Sequence, residues 1–193
     1  MKYWQTHLLP VVLLATLAGL SFWLRETVER DSMLVTKNAR HVPDAIADNM
    51  LVRRYDQSGH LRYEMRSPHA VHYGDDDSTE ARSPVLTSYQ DKAPPTTIRA
   101  DHADITSKAE IVYLKDNVRI VRPATPQRAE MVARMPDLTV RPEEGVADTQ
   151  SAVQLTQGNS WITGIGMHAD NNLSTINLHS KVRGEYIRPA TQP

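Results

Sequence analysis

The chain has 193 residues, a formal net charge of −1 and no cysteine. That charge balance gives no whole-chain case for nucleic-acid binding, and the missing thiols exclude a disulfide framework and cysteine chemistry. With one Phe and three Trp, a core has to be built from Val, Leu, Ile, Ala and Tyr.

Leu8 to Leu24 reads LLPVVLLATLAGLSFWL, without a charge. As a helix it spans about 25 Å, enough for a bilayer core. Trp4 and Trp23 flank it, where amphipathic rings prefer the membrane interface. A cleaved signal peptide would have only Lys2 as its basic region and Thr16-Leu17-Ala18 as a poor cleavage site. The apolar run continues past that site through Phe22, Trp23 and Leu24, which favours an uncleaved anchor. The expected organisation is therefore a tail at 1–7, a transmembrane helix at 8–24, a polar linker at 25–45 ending near Pro43, a domain at 46–188 and a tail at 189–193. Charge does not fix the orientation. Only Lys2 precedes the span, whereas Arg25, Arg30, Lys37 and Arg40 follow it, and the positive-inside count weakens before a long domain.

Beyond residue 45 the pattern is that of strands. Met50 to Tyr55 leads into the turn Asp56-Gln57-Ser58-Gly59. Leu61, Tyr63 and Met65 then alternate with Arg62, Glu64 and Arg66 as a half-buried strand. Further runs cover Val85 to Tyr89, Thr97 to Ile105, Glu110 to Val121, Asp137 to Arg141, Ala147 to Thr156, Ser160 to Met167 and Leu173 to Ile187. Turn residues separate them at Asp75-Asp76-Asp77, Pro94-Pro95, Glu143-Glu144-Gly145, Gly158-Asn159 and Asn171-Asn172. No stretch here holds a helical period beyond two turns. The expected fold is all-β, a jellyroll or open sandwich of repeated antiparallel hairpins.

Two segments open with His-Ala-Asp, at His102 and at His168, and each continues with apolar residues at even positions. Val112, Leu114, Val118 and Ile120 form the first set; Ile176, Leu178, Val182 and Tyr186 form the second. Asp116 and Asn117 tolerate left-handed backbone, so Lys115-Asp116-Asn117 reads as a hairpin turn with the even positions facing inward on both arms. Ala147-Asp148 leading to Val153 and Leu155 is a weaker third copy. Units of this kind cannot bury an apolar face alone and would stack into one interior. His-Ala-Asp itself reads as a turn and a strand start.

Chemistry-bearing patterns are weak. His69 and His72 stand at i and i+3 of a strand and so face opposite sides, which argues against a chelate. Asp75-Asp76-Asp77 reads as a solvated loop tip. Arg53, Arg54, Arg62 and Arg66 read as a solvated face with some capacity for phosphate. There is no phosphate-binding loop and no nucleophile motif. The reading is a non-enzyme with no metal and no cofactor. Gly164 lies in the strand-like Trp161-Ile162-Thr163-Gly164-Ile165-Gly166-Met167, where glycine marks either a bulge or a close approach.

The order of these parts resembles the LptC family, the single-pass inner-membrane component of the lipopolysaccharide export bridge. The residues that carry it are LVRRYDQSGHLRYEM (Leu51 to Met65), SPVLTSY (Ser83 to Tyr89), RADHADI and VYLKDNVRI within Ile98 to Ile120, and Gly164 to Met167. Family hairpins of this type often carry Gly before the Asn, where this chain has Asp116. The resemblance implies a periplasmic jellyroll with a cytoplasmic N-terminus, holding lipid A acyl chains between two sheets. The implied groove interior is Leu61, Tyr63, Met65, Val112, Leu114, Val118, Ile120, Ile165, Ile176 and Leu178. The implied partners are lipopolysaccharide, the LptF- and LptG-like membrane subunits of the ABC transporter, whose jellyrolls meet the N-terminal strands, and a soluble LptA-like bridge protein. That protein would add its strand to a C-terminal edge formed by Val182, Arg183, Gly184, Glu185, Tyr186 and Ile187. The alternative is a membrane-tethered adaptor that binds proteins and carries no lipid.

Overall fold

A computed structural model describes residues 13–26, 41–90 and 93–187. The chain divides into two units, Met1–Val42 and Pro43–Pro193. In the first, residues 13–26 are helical, and Leu17, Leu20, Phe22 and Trp23 are all more than 60% exposed. Among the described residues no helix is long and apolar enough to cross a membrane. The start of the expected span (8–12), most of the expected linker and the C-terminal tail lie outside the described residues.

The second unit is one antiparallel sheet of eleven strands: β1 (Pro43–Tyr55), β2 (Leu61–Tyr73), β3 (Ser78–Arg82), β4 (Val85–Gln90), β5 (Ala93–Arg99), β6 (His102–Ile105), β7 (Val112–Arg122), β8 (Met131–Arg141), β9 (Val146–Gln157), β10 (Ser160–Asp170) and β11 (Thr175–Glu185). β1 begins at Pro43, inside the stretch expected to be linker. The turn at residues 56–59 forms as expected: Asp56 accepts from the backbone N–H groups of Ser58 and His60, and Gly59 sits at φ +83°.

Two long strands organise the sheet. The first half of β2 pairs with β4 and its second half with β3. The first half of β7 pairs with β6 and its second half with β5. β4 pairs with β5, and β3 with β6. Two layers therefore share β2 and β7, and β8 to β11 continue from β7 through both layers. β1 pairs along β2 alone, and β11 along β10 alone, so each keeps one free edge.

The layers are joined by bends within strands, and this corrects the sequence reading at Lys115-Asp116-Asn117. The left-handed conformations are present, with φ of 63° at Asp116 and 52° at Asn117. The chain nevertheless does not reverse there. β8 runs antiparallel beside both halves of β7, with a register shift between Lys115 and Val118. The pair acts as a bulge that redirects a continuous strand. Comparable breaks recur in the neighbours: between Arg134 and Thr139 of β8, which contains Pro136, at Gly166 (φ 74°) of β10 and at Lys181 (φ 49°) of β11.

His-Ala-Asp is the first arm of a real hairpin in both copies. Ala103 pairs with Leu114 and Asp104 with Tyr113; Ala169 pairs with Ile176 and Asp170 with Thr175. At His102 the motif begins a strand, whereas at His168 it ends one. The expected single run Thr97 to Ile105 is two strands, β5 and β6, in different layers.

The core is continuous across both layers. It includes Tyr63, Met65, Leu86, Ile98, Val112, Leu114, Val118, Ile120, Met135, Leu138, Val140, Val153 and Met167. Ala70, Ala81, Ala103 and Ala133 are also buried, and such short side chains let the two layers approach closely. Each buried Leu or Val contributes about 1.5–3 kcal/mol relative to exposure.

Candidate functional site: an apolar interior with a polar mouth

Of the residues expected to line an interior, Tyr63, Met65, Val112, Leu114, Val118 and Ile120 are buried, and Leu61, Ile176 and Leu178 are half-buried. Ile165 does not belong with them. It is 37% exposed, while Gly164, Gly166 and Met167 are buried. Gly166 supplies a bulge that breaks the register between Ile165 and Met167, so strict alternation points the wrong residue inward. Met167, fully buried, takes that place. The glycine pair two residues apart was the available signal for a change of phase.

Gly164 is a close-approach glycine, but what approaches is the chain's own last strand. A Cβ built there would lie 3.2 Å from Leu178 Cβ and 3.3 Å from the Ser180 carbonyl oxygen.

The inward placement of Val182 and Tyr186 is also corrected: they are 49% and 78% exposed. Lys181 breaks the alternation at the bend, and β11 ends at Glu185, leaving Tyr186 and Ile187 beyond it. β1 is exposed along nearly its whole length, including Ile46, Leu51 and Tyr55.

Away from the bends, the tips of the two layers enclose a cavity of about 70 Å³. Tyr63, Leu86, Ile98 and Ile120 line it from one layer, and Val140, Ala147 and Ile176 from the other. Burial pushes the Tyr63 phenol above its ordinary pKa.

A polar collar lines the mouth of this cavity. Asn171, in the turn between β10 and β11, donates to Ser88 Oγ at 3.2 Å and its backbone carbonyl accepts from the Gln90 amide. Arg122, at the end of β7, donates at 3.4 Å to Asn171 Oδ1 and at 3.4 Å to Thr96 Oγ1. Arg122 is half-buried, and burial with help from Arg128 lowers its pKa. No carboxylate among the described residues pairs with it. Sequence reasoning missed this collar. Arg122 follows Val121 at a strand end with nothing local to distinguish it, and Asn171 reads only as a turn residue.

Other polar residues have partners of their own. Arg53 and Arg66 both donate to Glu64, at 3.1 and 3.0 Å, and hold its carboxyl below the usual range. Arg54 pairs with Glu143 at 3.1 Å. His69 bonds Asp48, and His72 bonds Asp44 and Asp77, so the two histidines do not converge. Burial opposes ionisation of Asp148, but hydrogen bonds from His168 (2.6 Å) and Arg141 (2.7 Å) outweigh it and lower its pKa.

This architecture has a solved counterpart. The chain is similar to LptH from Pseudomonas aeruginosa, an LptA-homologous periplasmic component of the lipopolysaccharide transport device. The TM-score is 0.52 at 10% identity, covering 66% of this chain and 95% of that one. At that identity the likeness carries the fold. No curated protein matches at the sequence level. Residues 11–187 match the family described as lipopolysaccharide-assembly, LptC-related, and with nearly the whole chain covered, the protein belongs to the LptC family of lipopolysaccharide-assembly proteins.

Proposed function

We propose that this protein accepts lipopolysaccharide from an inner-membrane ABC transporter and passes it to a soluble periplasmic bridge protein, with the acyl chains lying between its two layers. The carrying observation is the shared apolar interior that opens, between the layer tips, on a cavity with an almost wholly apolar floor. A buried methylene is worth about 0.8 kcal/mol, so a molecule with several acyl chains leaves a bilayer only where another apolar site compensates. An interior of comparable affinity makes onward passage nearly level. The driving energy comes from elsewhere, because the chain has no nucleotide motif.

In the same reading, segment 8–24 anchors the chain with its N-terminus in the cytoplasm and the domain in the periplasm. The exposed apolar surface of residues 13–26 supports this, since such a helix is stable only under apolar cover. The free edge of β1 meets the transporter's LptF- and LptG-like jellyrolls. The free edge of β11, with Val182, Arg183, Gly184 and Glu185 and the following Tyr186 and Ile187, receives the LptA-like protein. Exposed edges of this length invite strand addition.

One observation favours the adaptor reading instead. A 70 Å³ cavity holds about two waters, so an acyl chain enters only if the layers part. Photocrosslinking of the full chain separates the two. A benzoylphenylalanine at Tyr63, where an aromatic ring already fits, is expected to capture lipopolysaccharide, and the same probe at exposed Arg119 is not. Capture at neither position by the folded chain leaves the adaptor.

A further inference from the structure

Every polar partner of Arg122 is neutral. It holds Thr96 of β5 and Asn171 of the β10–β11 turn, and it lines the mouth of the apolar cavity. A guanidinium keeps its charge at any accessible pH and offers a planar fork of donors that fits a phosphate in bidentate fashion. Half-buried, it has lost much of its hydration without gaining a counter-charge. An anion arriving at the mouth would supply that charge.

The same groups tie the two layers together at the mouth. Asn171 ties one layer to the other, through Ser88 and Gln90 of β4 and Arg122 of β7, beside the Arg54–Glu143 pair that also joins the tips. The Asn171 bonds span sequence separations of 49 to 83 residues, so they report on closure of the layers and not on local turn geometry. A ligand that takes the Arg122 guanidinium removes one of these ties. An acyl chain needs the layers to part, and a phosphate needs Arg122. An acylated phospho-lipid meets both requirements at one place.

We infer that Arg122 is the anion-reading residue of the mouth. It takes a phosphate of the lipid whose acyl chains lie between the layers, and exchanges its hydrogen bonds to Thr96 and Asn171 for that contact. Phosphate binding and opening of the β10–β11 turn are then one event. This rests on the lipid-carrying reading above.

The test uses the full chain with the benzoylphenylalanine probe at Tyr63 and two lipids, hexa-acylated lipid A with both phosphates and the same lipid dephosphorylated. The expected result is that the phosphorylated lipid is captured the more efficiently by the parent chain. Arg122→Gln, which keeps hydrogen-bonding capacity without charge, lowers that capture about tenfold, as befits one charge-assisted contact. It does not lower capture of the dephosphorylated lipid, which a merely misfolded variant would. Arg122→Lys, which keeps the charge without the fork, restores only part of the capture, and inorganic phosphate at millimolar concentration does not compete. Equal capture of the phosphorylated lipid by the parent and Arg122→Gln overturns the inference and leaves the lipid reading intact. Competition by inorganic phosphate overturns its lipid form and makes Arg122 a free-phosphate site. Capture of neither lipid by the folded parent overturns both readings.

Discussion

At the scale of residues, the interior depends on positions that differ in what they tolerate. Leu114 is 1% exposed and sits just before the β7 bend, in contact with both neighbouring strands. Leu114→Ala is expected to cost about 3 kcal/mol, through lost transfer energy and a cavity that the rigid ladder cannot collapse. Denaturant titration measures this as a fall in midpoint at constant slope. Gly166 depends on backbone freedom instead. Its φ of 74° suits glycine, and an added Cβ would lie 2.6 Å from His179 Nδ1. Gly166→Ala is expected to cost about 1–2 kcal/mol, and an equal or higher midpoint would remove the argument that this glycine is needed for the bulge. His72 brings a pH dependence. Its hydrogen bonds to Asp44 and Asp77, opposed in part by desolvation, raise its pKa above 6.5. A raised histidine stabilises fully below the unfolded value near 6.5 and loses that contribution as pH climbs through the folded value. Asp44 lies at the start of β1, so amide protection over residues 43–48, corrected for intrinsic exchange, should be higher at pH 6 than at pH 8. His72→Gln should flatten the difference.

At the scale of elements, the bends divide what was legible in the sequence from what was not. Alternation identified the strands and, within β2 and β7, the inward face at Tyr63, Met65, Val112, Leu114, Val118 and Ile120. It failed at Val182 and Tyr186, and the implied interior place of Ile165 fails too, because each lies next to or beyond a left-handed residue that changes the phase. Asp116 and Asn117 were correctly read as left-handed, but dihedral preference does not say whether a strand reverses or bends. Only the partner strand decides that, and β8 lies along both halves of β7. The same ladder produces a feature no local pattern contains. Arg99 stands opposite Arg119, and Arg119 opposite Arg134, on three adjacent strands, all exposed. Like charges in directly opposed positions repel. Arg119→Thr is therefore expected to stabilise the sheet by about 0.5 kcal/mol at low ionic strength. The gain should fade in 0.5 M salt as screening shortens the reach of the repulsion, and a salt-independent gain would point to strand propensity instead.

At the scale of the molecule, the proposed seating of an acyl chain beside Tyr63 requires one layer to move against the other, because the cavity there is only about 70 Å³. The small cavity and the Asn171 collar describe the closed arrangement. Because the natural chain has no cysteine, a pair introduced at Ser88 and Asn171 can be joined by a short thiol-reactive crosslinker without other labelling. Those two side chains are 3.2 Å apart across the mouth. Joining them is expected to abolish capture of lipopolysaccharide by a probe at Tyr63, while the unjoined double variant keeps it. Capture that survives joining would place the lipid's route elsewhere than through this mouth. β1 pairs only with β2 and β11 only with β10, so strand addition on both free edges would continue the sheet at two separate places.

The sequence by itself determined the all-β class, the turn at Asp56 to Gly59, most strand positions and the apolar set near the middle of β2 and β7. Those follow from side-chain period and turn chemistry, which act over a few residues. The tertiary structure decided that the repeats are bent strands, that Met167 and not Ile165 faces inward, and that Arg122 and Asn171 meet at the mouth. Each of these depends on which strand lies alongside, a choice made by burial and pairing across tens of residues. No window of neighbouring residues contains that information.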